Sequence, residues 1–102
     1  MTDQKEHVAR VRSIAVLGRR WFGKTNGNTY FSCDIFVNGE QVHRIDFSYG
    51  YGSMYFQEGA KWLWENGYLA TQREAEGLRR YCQRRKVDLY DSVADVQRKR
   101  DL

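Results

Sequence analysis

In the segment Tyr49-Gly50-Tyr51-Gly52-Ser53, two glycines run into a stretch with helical spacing. At a helix N-terminus, free backbone amides and the helix dipole can hold an anion. Gly50, Gly52 and Ser53 are therefore candidate anion-binding positions, with the hydroxyls and ring faces of Tyr49 and Tyr51 beside them. The segment has neither the lysine and longer spacing of a P-loop nor a GxGxxG pattern, so a simple turn is the more economical reading. No other spacing suggests a reaction. His7 and His43 lack a neighbour that would make a ligand pair, and no HExxH, GxSxG, Cys/His or paired-carboxylate pattern is present. The expectation is a protein with no catalytic residues, no metal and no cofactor.

Charge and aromatic content point to binding. The chain of 102 residues carries a formal charge of +4, and twelve of its seventeen cations are arginine. Arginine presents a planar donor fork suited to carboxylates, phosphates and aromatic faces. Between Arg73 and Arg100, nine cations face five acids, which fits nucleic acid, an acidic protein surface or a solvated helix face. No apolar run approaches the ~20 residues of a membrane helix, and Met1–Arg10 is polar, so neither a span nor a signal peptide is expected. Cys33 and Cys82 are far apart and outside any CxxC, and free thiols in a reducing cytoplasm are expected.

The elements that position these residues follow from turn chemistry. Asn26-Gly27 and Asn38-Gly39 each separate runs of β-branched and aromatic residues, the pattern of a hairpin. Strands are predicted over about Val11–Phe22, Asn28–Val37 and Gln41–Tyr49. In the second, Phe31, Cys33, Ile35 and Val37 alternate with Tyr30, Ser32, Asp34 and Phe36, and the odd positions make the better core face. A tight two-residue loop at Asn26-Gly27 would set Phe22 opposite Phe31 and Val16 opposite Val37, adding Ile14, Val16 and Phe22 to that face and leaving Arg20 as its misfit. A two-residue loop at Asn38-Gly39 would mix apolar and charged residues. The second turn is therefore predicted to be a three-residue bulged loop, with Phe31 opposite Ile45.

The opposite face then carries Trp21, Tyr30 and Phe36 with Arg19 and Arg44. These five are the candidate partner-binding residues, together with Arg80 and Arg84 on a later helix. Trp21 leads because interface hot spots favour tryptophan, tyrosine and arginine. Either the C-terminal segment covers this face or a partner does.

Ser53 is placed to cap a helix over 53–67, with Gly67 as its left-handed stop. Phe56, Ala60 and Leu63 line one stripe, and Gly59 would permit close approach to the sheet. Thr71 and Glu74 form a capping box for a second helix over 71–86. Asp88 would cap a last helix over 88–100, with Leu89, Val93 and Val96 as a thin stripe. The predicted architecture is thus a single α+β domain over 1–102: a lead-in over 1–9, a three-stranded antiparallel meander over 10–50, then two or three helices. The mixture of exposed aromatics and arginines also suits direct DNA or RNA binding, although no RRM motif, GxxG loop or zinc finger accompanies it.

Gly18-Arg19-Arg20-Trp21-Phe22-Gly23-Lys24-Thr25, Gly27-Asn28-Thr29-Tyr30, Val37-Asn38-Gly39 and Tyr49-Gly50-Tyr51-Gly52 together give a pattern that resembles a family of small uncharacterised phage and prophage proteins. The resemblance covers about Arg12–Leu69 and carries no catalytic residues. It implies a bacterial host cytoplasm. By analogy of class, it also implies an accessory protein that binds and blocks host machinery, as anti-CRISPR proteins do. The expected partner is a host protein or nucleoprotein complex, or nucleic acid directly, with no membrane, and the protein itself a monomer or homodimer.

Overall fold

The structure, a computed structural model, describes residues 10–102, so the predicted lead-in over 1–9 lies outside the described residues. Strands β1 (Ser13–Gly23), β2 (Asn28–Val37) and β3 (Glu40–Tyr49) form the expected antiparallel meander. Helices α1 (Met54–Glu65), α2 (Gln72–Glu76) and α3 (Leu78–Arg85) follow, and the chain then returns as β4 (Asp88–Val96). β4 lies parallel to β1, giving a four-stranded mixed sheet in the order β3-β2-β1-β4. The fold is α+β.

The predicted last helix over 88–100 is therefore corrected to a strand followed by a 3-10 turn, Lys99–Asp101. Leu89, Val93 and Val96 suggested a helical stripe only because Asp91 and Asp95 interrupt the two-residue alternation of Val87, Leu89 and Val93. Both aspartates find distant partners. Arg20 makes a bidentate pair with Asp95, at 2.8 and 3.2 Å. Asp91 accepts from the Tyr55 hydroxyl at 2.5 Å and from Arg79. A strand can carry a charge on its inner face when the charge is paired and hydrogen-bonded. The Arg20 misfit thus finds its partner on a strand that the sequence did not reveal.

Core parity in β2 is as expected: Phe31, Cys33, Ile35 and Val37 are buried with Ile14 and Val16 beneath α1. Phe22 is not core, being 54% exposed beyond the end of the helix. Gly59 fits the close approach, since a Cβ there would lie 3.2 Å from Val16. Both cysteines are free and buried.

The two turns exchange their expected roles. The first loop spans Lys24–Gly27, because Gly23 pairs with Asn28, and Val16 consequently faces Ile35 rather than Val37. The shift is two residues, so parity survives. At the second turn Val37 pairs with Glu40, and Asn38 and Gly39 have φ of 53° and 84°, a two-residue type I′ turn. The Asn38 side chain contributes further, accepting from the backbone N–H groups of Arg12 and Ser13 at 2.7 and 3.1 Å. The extra residue that keeps apolar side chains together sits inside β3 instead: register shifts between Ile35 and Phe36, and again between Phe31 and Cys33. Ile45 thereby faces Cys33, and Phe31 faces Ser48.

Ser53 does not cap α1 through its side chain; its hydroxyl accepts from Gln57 instead. Gly67 is left-handed, at φ 87°, as expected of a stop. The predicted helix over 71–86 divides at Gly77. Half of its capping box is present: Thr71 accepts from the Glu74 N–H at 3.2 Å, but the Glu74 carboxylate accepts from the N–H of Ala70, one residue before the cap, at 2.9 Å. Leu78 and Cys82 are buried and seat α3 on the same side of the sheet as α1.

Candidate functional site

The sheet face turned away from the helices carries a row of aromatic rings. Trp21 and Tyr30 are opposite each other in β1 and β2, and their rings stack at 5.8 Å. Tyr30 stacks in turn on Phe47 of β3 at 4.6 Å, and meets Tyr49 edge-on at 5.8 Å. Lys99 sits over the Phe47 ring, 4.7 Å from its centre. Phe47 and Tyr49 are 46% and 62% exposed, while Trp21 and Tyr30 are half-buried.

Phe47 and Tyr49 were missed in the sequence because strict alternation along β3 gives them the core parity. The shift between Phe31 and Cys33 turns Phe47 outward, and only the odd cluster of aromatics around Tyr49-Gly50-Tyr51 hinted at it. Phe36, by contrast, does not join the row. It shares the face but lies six residues from Tyr30 along the strand, about 20 Å away.

Between the two ends the face is an ion network. Asp34 accepts from Arg44 at 2.9 Å and from Gln41 at 2.9 Å, and Arg19 approaches it at 3.8 Å. Arg44 also donates to Asp46 at 2.8 Å. Hydrogen bonds to these two carboxylates, Asp34 first, hold the Arg44 guanidinium still more firmly in its charged form. Arg19 and Arg44 are thus occupied within the chain and frame the aromatic row. The 3-10 turn packs back against β1, and Ser32 at the middle of the face is buried. The C-terminal segment therefore covers the centre of the face and leaves the rims of the aromatic end open.

Arg80 and Arg84 are on the other side of the sheet. With Arg73 and Tyr81 they line a shallow groove of about 680 Å³ along α2 and α3. They and the aromatic row therefore form two separate surfaces.

The two glycines of the Gly50/Gly52/Ser53 stretch have separate structural reasons. Gly50 is buried, and a Cβ there would lie 2.5 Å from Met54 and 3.0 Å from Phe31. Gly52 has φ 62°, and its carbonyl accepts from Arg20 at 3.0 Å. Packing against Met54 and Phe31 thus accounts for Gly50, and a left-handed backbone for Gly52.

His43 stacks on Trp62 at 4.4 Å, in a ring contact that ties β3 to α1. Among the described residues no cluster of His, Cys, Asp or Glu has the arrangement to hold a metal ion, and no helix is long and apolar enough to cross a membrane. Comparison with family models, curated proteins and solved structures finds no match.

Proposed function

We propose that this chain is a non-catalytic binding protein that modulates or inhibits a host protein, or a nucleic-acid-handling complex, in the manner of phage accessory proteins in a bacterial cytoplasm. The observation that carries the reading is the aromatic row. Its rings stack on one another, with Tyr30 between Trp21 and Phe47 and Lys99 over the last ring. Tyr30 and Phe47 already have ring faces engaged, by Trp21, by each other and by Lys99. A base-stacking platform needs free faces. A self-stacked row of tryptophan, tyrosine and phenylalanine instead suits a protein surface with a pocket for a hot-spot aromatic.

Trp21→Ala tests this. The variant should keep the wild-type unfolding transition within about 1 kcal/mol, because Trp21 is half-buried and outside the core cluster. It should lose at least about 2 kcal/mol of affinity for a host partner recovered with the wild type. Equal recovery by wild type and Trp21→Ala, measured by quantitative mass spectrometry, would count against the aromatic end as the docking surface.

Direct nucleic-acid binding is the alternative, and the groove lined by Arg73, Arg80 and Arg84 favours it. Titration of labelled single- and double-stranded DNA and RNA against rising salt separates the readings. Phosphate contacts give a steep fall of affinity with salt. Arg80→Ala/Arg84→Ala should then weaken binding at least tenfold and flatten the slope, while Trp21→Ala should leave both unchanged. Absence of binding at low salt removes this alternative.

A further inference from the structure

The two edges of the sheet are built differently. β3, at one edge, has two register shifts and carries Glu40, His43, Arg44 and Asp46. Bulges and charged side chains are the usual devices that stop an edge from pairing with another chain. β4, at the other edge, has no bulge among the described residues, and its guards are three aspartates. It runs straight for nine residues, in constant register with β1 from Ser13 opposite Asp88 to Trp21 opposite Val96, and contains no proline, glycine or cation.

The backbone of β4 is half used. The Asp88 N–H donates to the Arg12 carbonyl, so even-numbered residues bond to β1. In a parallel ladder the alternate residues point the other way, which turns the N–H and C=O groups of Leu89, Asp91, Val93 and Asp95 toward the free edge. Three aspartates give the strand an acidic appearance, but Asp95 is paired with Arg20, and Asp91 with Tyr55 and Arg79. Among the described residues, Asp88 is the one aspartate of β4 without a side-chain partner.

We propose that β4 is a homodimer edge: two copies join β4 to β4 across a two-fold axis at Ser92, making one continuous eight-stranded sheet. A two-fold axis across an edge requires antiparallel strands, and only residues on the same face can then lie opposite each other. Three registers satisfy this and pair seven residues or more, centred on Asp91, Ser92 or Val93. Centring on Asp91 sets that carboxylate against its own copy, and centring on Val93 sets Asp91 against the partner's Asp95.

Only the Ser92-centred register keeps the acids apart, because like charges directly opposite destabilise a strand pair. In it Asp91 faces the partner's Val93, and Leu89 faces the partner's Asp95. Tyr90, 60% exposed in the isolated chain, gains the cover of the partner's Ala94. The four outward residues supply about eight ladder hydrogen bonds. The contact is a single strand pair, at the small end of protein interfaces, so the dimer is expected to be weak.

Charge reversal at the axis tests the proposal. Ser92 is exposed on the outer face, so substitution there leaves the core untouched. At about 100 µM the wild type should have a solution mass of about 24 kDa, against 12.1 kDa for one chain. Ser92→Lys and Ser92→Glu should each shift toward the monomer, with a dissociation constant raised at least tenfold and the far-UV spectrum unchanged. An equimolar mixture of the two should recover the 24 kDa species (about twice one chain) as a heterodimer. A monomeric wild type would leave the edge to a strand of some other protein and overturn the proposal. It would equally be overturned if both single variants dimerised as tightly as the wild type, or if their mixture dimerised no more tightly than either alone.

Discussion

Gly18→Ala will destabilise the protein by about 2–3 kcal/mol, the upper range of what overpacking a core costs. A Cβ at position 18 would stand 2.5 and 2.6 Å from Cδ2 and Cγ of Tyr55. These atoms are at the root of the ring, so a small rotation of the tyrosine cannot clear them. Nor can Tyr55 withdraw freely, since its hydroxyl donates to Asp91 and its ring is buried. Alanine should otherwise be the better residue in the middle of a strand, where glycine loses more conformational freedom. The effect therefore depends on Tyr55. In a Tyr55→Ala background, Gly18→Ala should be neutral or stabilising by a few tenths of a kcal/mol. Urea unfolding of the four proteins closes the cycle, and a Gly18→Ala cost independent of Tyr55 would refute the steric account.

Alkaline pH should unfold the chain through three groups that the fold keeps protonated. Burial pushes the Cys33 thiol up from 9.0 to about 12, with Asp34 and Asp91 adding to it, and burial alone takes Cys82 to about 11. Burial first, then the hydrogen bond to Asp91, raises Tyr55 from 10.0 to about 12. Below pH 9 the folded and unfolded chains both hold these protons, and the stabilisation is fully present. Above it the unfolded chain releases protons that the folded chain retains, so stability falls until the folded values are passed.

Each group contributes up to about 1.4 kcal/mol per pH unit, together on the order of 5 kcal/mol by pH 11. That is a large part of the stability of a small domain. Under reducing conditions, stability by urea unfolding should be level from pH 7 to 8.5 and then decline steeply. Cys33→Ala/Cys82→Ala should reduce the slope, although its stability at neutral pH is lower. A slope the same in both proteins would show that the thiols are not responsible.

The meander was legible because β2 alternates cleanly and because its turns carry Asn-Gly. Turn type was not, since an Asn-Gly pair does not record how many residues around it stay unpaired. Position 38 is settled by the Asn38 side chain bonding to Arg12 and Ser13, contacts 25 residues or more away in sequence. β4 was hidden for a similar reason: Asp91 and Asp95 break its alternation, and their partners Tyr55, Arg79 and Arg20 lie elsewhere in the chain. In the candidate site, Trp21 and Tyr30 were found from parity alone. Phe47 and Tyr49 required the bulges of β3, while Arg80 and Arg84 were grouped with them by residue type although the sheet stands between.

The pairing of β1 with β4 joins residues 75 positions apart. During synthesis the meander leaves the ribosome first, and its first strand β1 waits with one bare side until the final segment emerges. Such distant pairing slows folding and prolongs exposure of an adhesive edge. A nascent chain stopped before Asp88 would keep β1 permanently open to neighbours, so translational truncation in this region should yield inclusion bodies rather than a shorter working protein.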